Sequence, residues 1–223
     1  MYLLPQYTHI VNKKLKHTYL SFDTLGNLII KSPKVSHAYI EQLLLKKSSW
    51  INKAREKILQ KKGKPVNFDQ NPILYYQGIA YPLQLIEHTK KHTKLLFDDE
   101  CFSLYFSNYD EKLFYKHIDN FYKNKAKELI PLIVEKWSKR MNVTPLEIHF
   151  RKTKRQWGSC SSKNHLSFNT MMMKLPKNVI EYIVVHELSH IRHKHHKKSF
   201  WNEVEKYLPQ YQKEVMQLHT YTT

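Results

Sequence analysis

Cysteine and glycine are both scarce in this chain: 223 residues contain two Cys and four Gly. Two cysteines exclude a disulfide-stapled scaffold or a cysteine-rich zinc module, and Cys101 and Cys160 are expected to remain thiols in a reducing compartment. Four glycines leave no Gly-rich loop of the kind that cradles phosphates. No apolar run approaches the 18 or so residues of a membrane span. The start Met1-Tyr2-Leu3-Leu4-Pro5 lacks the basic flank and length of a signal peptide, so a cytoplasmic location is expected. Acidic residues are few as well, 19 against 37 Lys plus Arg, for a net charge of +18. Most of that excess is lysine, dispersed over pairs such as Lys13-Lys14, Lys46-Lys47, Lys61-Lys62, Lys90-Lys91 and Lys197-Lys198. Arginine, the residue suited to bidentate phosphate contacts, is rare. This pattern predicts weak polyanion binding at most. The exception is the group Arg151, Lys152, Lys154, Arg155.

Against this background one segment is rich in chemistry. His186-Glu187-Leu188-Ser189-His190 places two histidines four residues apart, which on a helix puts their Cβ atoms about 5 to 6 Å apart on one face, as two ligands of one tetrahedral ion require. Glu187 stands beside His186, where a carboxylate can act on water at a metal without being a ligand. The residues 176–185 read as the start of that helix, and Ile180, Val184, Leu188 and Ile191 recur at helical spacing. Their stripe lies roughly 100° or more around the wheel from the two histidines, so one face meets a core and the other a cleft. A third ligand is sought among His193, His195 and His196. His193 lies about 10 Å along the axis from His186 if the helix continues. His196 is favoured, provided the chain turns after His190; without a Gly, His195 is the residue expected to take a left-handed conformation there. Three histidines and one open position describe a catalytic zinc site.

The rest of the chain reads as an α+β protein. Residues 7–32 alternate around Gly26-Asn27 and predict two or three antiparallel strands. Ser36 caps a helix carrying Ile40, Leu43, Leu44, Trp50, Ile51, Ala54 and Ile58, which ends at Gly63-Lys64-Pro65. Two or three strands follow between Ile73 and Phe106. A long helix is expected over about 112–141, kinked or restarted at Pro131. Its stripe of Phe114, Ile118, Phe121, Tyr122, Leu129, Ile133, Val134 and Trp137 reads as core. Strands at Leu146 to Phe150 and Leu166 to Asn169 flank a loop carrying Trp157 to Ser161. Phe200, Trp201, Val204, Tyr207 and Leu208 form a last amphipathic helix stopped by Pro209.

The segments Arg155-Gln156-Trp157-Gly158-Ser159-Cys160-Ser161, Leu166-Ser167-Phe168-Asn169, Val184-Val185-His186-Glu187-Leu188-Ser189-His190 and His196 with Phe200-Trp201 together resemble the YgjP-like metallopeptidase family. Upstream, the turn Asp23-Thr24-Leu25-Gly26-Asn27, the pair Trp50-Ile51 and the region Tyr76-Gln77-Gly78 fit the same family, so the resemblance spans essentially the whole chain. It departs at His195 and Lys197, where the family usually has Asn and Ser around its third histidine. The resemblance implies an N-terminal antiparallel strand-rich lobe with a helix, over 1–110, followed by a zincin-like α+β metal-binding catalytic domain over 111–223.

For a peptidase, zinc on His186, His190 and His196 would activate water, with Glu187 as general base, and the strand near Leu166 to Asn169, taken as an edge, would hold an extended peptide or protein substrate. Arg155, His165 and Tyr207 are the candidates for stabilising the oxyanion, and Cys160 is either a small buried residue or a shield for the metal. Members of this family are also described as metal-dependent nucleotide pyrophosphatases acting on UTP; the basic group at 151–155 suits a triphosphate, but the acidic cluster expected for magnesium is absent near the motif. A third reading, a nucleic-acid-associated protease, rests on charge and on the likeness of the metal helix.

Overall fold

The computed structural model describes residues 5–23 and 25–222, so Met1 to Leu4 and Thr24 of the expected first turn lie outside the described residues. Packing divides the chain into two compact units, one running to Pro65 and joined by Thr222, the other from Val66 to Tyr221. The boundary expected near residue 110 reflects where the chemistry begins; by packing, the strands between 73 and 106 belong with the helices that follow them.

In the first unit β1 (Tyr7–Val11), β2 (Tyr19–Phe22) and β3 (Leu28–Ser32) form a sheet of order β1-β3-β2. The hairpin β2-β3 is antiparallel, as its turn signal predicted, but β1 pairs with the far side of β3 and runs parallel to it. The segment between β1 and β2 therefore crosses over instead of folding back, a connection that alternation alone does not reveal. Asp23 builds the turn: its Oδ1 accepts from Leu25 N at 2.9 Å and Asn27 N at 2.8 Å. Helix α1 (His37–Leu59) starts at Ser36, whose side chain accepts from Tyr39 N, and lays Ile40, Leu44 and Ile51 on Leu28 and Ile30. Trp50, at the edge of the predicted stripe, stays 48% exposed and tilts against Phe22.

In the second unit β4 (Ile73–Tyr76), β5 (Ile79–Glu87), β6 (Lys94–Phe97) and β7 (Phe102–Phe106) form a sheet of order β4-β5-β7-β6. Helix α2 (Glu111–Met141) is its spine. Asp110 caps it by accepting from Lys112 N and Leu113 N, and Asn142 closes it in the left-handed region at φ 51°. The helix runs through Pro131 without a break, so it does not restart there. Phe114, Ile118, Tyr122, Ala126, Ile130, Val134, Trp137 and Met141 are buried, a stripe long enough to hold the helix together across one missing backbone donor.

The second sheet of this unit joins β8 (Glu147–Arg151), β9 (Gly158–Cys160) and β10 (His165–Asn169) in the order β8-β10-β9. The expected signature loop is thus partly a strand, antiparallel to β10, while β8 runs parallel to β10. Strand β10, expected to be the edge, is the middle strand, and β9 is an edge. A 3-10 turn at Thr170–Lys174 leads into α3 (Lys177–Arg192), followed by α4 (Lys198–Tyr207) and by α5 (Tyr211–Leu218), which was not anticipated beyond Pro209. Among the described residues no helix is long and apolar enough to cross a membrane.

With so few glycines, the chain takes positive φ at Asn71, Gln77, Asp99, Asn142 and Asn164. At the β4-β5 hairpin Gln77 is followed by Gly78 at φ +87°, where a Cβ would lie 2.6 Å from Pro176 Cγ. This tip donates from Gln77 N to Met173 O at 2.8 Å and from Gly78 N to Lys174 O at 3.1 Å. The hairpin is pinned against the start of α3.

Candidate metal centre

Helix α3 buries Val179, Ile180, Ile183, Val184, Val185 and Leu188 and turns His186 and His190 toward a half-exposed side. It ends at Arg192. His193 is extended at φ −126°, ψ 96°, and the chain returns so that His196 meets the other two histidines. His196 Nε2 lies 3.0 Å from His190 Nε2 and 3.1 Å from His186 Nε2. Ligand nitrogens on a tetrahedral ion with bonds of about 2.0 to 2.1 Å are spaced roughly 3.3 Å apart, close to these separations. His193 and His195 do not join this group.

The protonation pattern suits a cation. His190 Nδ1 donates to the His193 carbonyl at 2.9 Å, which leaves the lone pair on Nε2. Burial lowers the pKa of His190, and it carries His186 down to about 3, with the nearby His190 and His196 adding to the effect. Both rings are therefore neutral, with nitrogens crowded together. A proton on His196 Nε2 can serve only one of its two contacts, whereas a metal ion would satisfy all three nitrogens at once. Phe200 walls the site, its ring stacked on His190 at 4.5 Å, and Trp201 Nε1 donates to the His196 carbonyl at 3.1 Å.

Glu187 is buried on the neighbouring side of α3, and burial alone pushes its carboxyl up to about 8. Above it lies β9. A Cβ on Gly158 would sit 2.6 Å from Glu187 Oε1 and 2.7 Å from its Cγ, so only glycine lets the strand rest on this carboxylate. In β9, Trp157 O and Ser161 N bond to Asn169 N and His165 O of β10. By antiparallel alternation the amides and carbonyls of Gly158 and Cys160 point to the open edge.

The family model described as YgjP-like, metallopeptidase domain, matches residues 16–221. The chain belongs to the YgjP-like metallopeptidases. A comparison with curated proteins found no match. Among solved structures it is similar to two metallopeptidase zymogens. Abylysin of Pyrococcus abyssi is 21% identical over 41% of this chain and 93% of that one, with a TM-score of 0.39. Jannalysin of Methanocaldococcus jannaschii is 24% identical over 40% and 92%, with a TM-score of 0.37.

Several parts of this YgjP-like centre differ from the sequence expectation. The turn before His196 uses no left-handed residue: the positive φ angles lie elsewhere, and His195 Nδ1 instead accepts from Lys197 N at 3.3 Å. Arg192 is a clamp. It donates to Met141 O at 2.6 Å and Asn142 O at 3.0 Å at the end of α2 and pairs with Glu203 of α4. Lys194 donates to Ser161 O at 2.9 Å and Asn164 Oδ1 at 2.6 Å, tying the His196 loop to the β9-β10 hairpin. Asn169 holds the signature segment by donating to Thr153 O and Gln156 O.

The three oxyanion candidates scatter. His165 faces Glu147 on the side of the sheet away from Glu187, Tyr207 is engaged by Arg192, and Arg155 is exposed in the loop before β9. Cys160 is not in the histidine group; burial raises the pKa of its thiol, although Lys194 Nζ lies 3.5 Å away. Both cysteines are free. In the basic group at 151–155, Lys152 is committed to Asp119 at 2.6 Å.

Proposed function

We propose that this YgjP-like metallopeptidase is a zinc hydrolase of peptide bonds in which His186, His190 and His196 hold the ion and Glu187 is the general base. The observation that carries this reading is the convergence of three Nε2 atoms, with spacings of 3.0 and 3.1 Å, beside a buried carboxylate capped by Gly158. Neutral imidazoles and a tautomer set by the His193 carbonyl favour a borderline divalent ion, and three nitrogen donors leave a fourth position free for chemistry. Zinc bound there supplies Lewis acidity, acidifying water and polarising a carbonyl.

The chain's own residues supply the rest. Glu187, kept in a desolvated niche where it is a stronger base than an exposed carboxylate, takes a proton from the attacking water and returns it to the leaving amine. The open edge of β9 replaces the Leu166 to Asn169 strand as the peptide cradle, its outward groups at Gly158 and Cys160 pairing with an extended substrate backbone. Such main-chain pairing reads shape and not sequence, which suits unfolded protein segments as substrates. The test is one preparation assayed on an unfolded protein and on UTP, before and after chelation and zinc repletion. Proteolysis that is lost on chelation and regained with zinc is expected. Zinc-dependent hydrolysis of UTP with no proteolysis would overturn the peptidase reading.

A further inference from the structure

The face of the β8-β10-β9 sheet turned away from Glu187 carries a second convergence of ligand atoms. Glu147 and His149 leave β8 on the same side, two residues apart, and His165 leaves β10 on that side as the cross-strand partner of Glu147. Leu166 and Phe168, with Gly158 and Cys160 opposite them, occupy the other side. His149 Nε2 lies 3.0 Å from Glu147 Oε2, and His165 Nδ1 lies 3.3 Å from the same oxygen. The two imidazole rings stand 5.9 Å apart at 28°. All three ligand atoms fall within 4.8 Å of one another.

We propose that Glu147, His149 and His165 form a second metal site, for a divalent transition ion of the zinc, nickel or copper class. Bonds of about 2.0 to 2.2 Å at tetrahedral or octahedral angles separate neighbouring ligand atoms by roughly 3.0 to 3.5 Å, the range of both measured spacings. Two imidazole nitrogens with one carboxylate oxygen suit borderline ions; calcium and magnesium prefer oxygen alone. The strand register fixes the three Cα positions, so little chain has to be ordered on binding. An ion there would cross-link β8 to β10 and brace the strand from which the Asn169-held loop departs. The side chains are 58%, 43% and 32% exposed for Glu147, His149 and His165, so the ion exchanges freely with solvent and occupancy follows its supply.

Equilibrium dialysis of the full chain against Zn2+, with bound metal counted by elemental analysis, tests this. The wild type is expected to hold two ions per chain, the double variant His149→Gln/His165→Gln one, and His186→Ala/His190→Ala one. Retention of one ion by the first double variant also shows that it is folded. Saturation of the wild type at one ion overturns the proposal, as does a second ion that survives His149→Gln/His165→Gln but is lost in His193→Gln/His195→Gln. Displacement of the second ion by millimolar Mg2+ would overturn the ion class assigned to it.

Discussion

The two faces of one three-stranded sheet use histidine and glutamate in opposite ways. On the face toward α3, Gly158 lies against a carboxylate that has lost its water, and the neighbouring histidines are walled by Phe200. On the other face Glu147, His149 and His165 meet in solvent. Residue type is the same; burial and tethering differ. A buried carboxylate becomes a base because its charged form is desolvated, whereas an exposed one offers only an acceptor. The difference separates a site fit for chemistry from one fit only for binding.

The strongest way to break that comparison is to remove the buried carboxylate that we propose as the base while keeping its shape. Glu187→Gln fits under Gly158 and leaves the three histidines in place, so peptidase kcat/KM should fall by about 10²- to 10⁴-fold with metal content unchanged. Steady-state kinetics beside metal analysis check this. A fall in both together would mean that Glu187 holds the site and does not act in it. The next effect comes from the strand. In Gly158→Ala the added methyl meets Glu187 Oε1 at 2.6 Å and its Cγ at 2.7 Å, and neither the buried side chain nor the paired strand can retreat without moving the Glu187 carboxyl. Displacing a catalytic group by about 1 Å costs on the order of 10²-fold. The variant should therefore lose about ten- to a hundredfold in kcat while keeping its metal.

The convergence of His186, His190 and His196 was legible because its signal is local: two histidines one helical turn apart and a third after a short return. Helices α1 and α2 were legible for the same reason, α1 through Ser36 and both through their apolar stripes. What was not legible depends on pairing between distant segments. Whether β9 or β10 is the edge is set by which strand β8 joins, and nothing in the residues from 165 to 169 states it. The parallel run of β1 was hidden likewise. The restart expected as one alternative at Pro131 weighed a local rule without the buried stripe on either side of it. The tethers made by Arg192 and Lys194 were not legible because their partners, the end of α2 and the turn at Asn164, lie 50 and 30 residues away. The tight fit of Gly158 on Glu187 was hidden because its segment read as a loop, where a glycine is ordinary, and not as a strand, where one of only four glycines would have stood out.

Lys194 tests whether tethering, and not burial alone, sets the first face apart. Its ammonium bridges the His196 loop to the hairpin through Ser161 O and Asn164 Oδ1. Lys194→Met keeps the length and removes the bonds, so His196 should be held less firmly. Metal retention against a chelator should weaken by roughly three- to tenfold, below the 10- to 100-fold typical for groups bonded directly to a ligand. Unchanged retention would assign the loop's order to Trp201 and Phe200 instead.

The smallest effect belongs to His165, and its smallness is the point. Its ring faces Glu147 across the sheet from Glu187, and its neighbour Leu166 supplies the packing under β9. His165→Gln should leave peptidase kcat/KM within about twofold of the wild type, as expected for sites that share no partners. A loss of tenfold or more with normal metal content at the histidine trio would show that the two faces are coupled through β10. The outward face would then belong to the catalytic machinery, and the contrast between the two faces would fail.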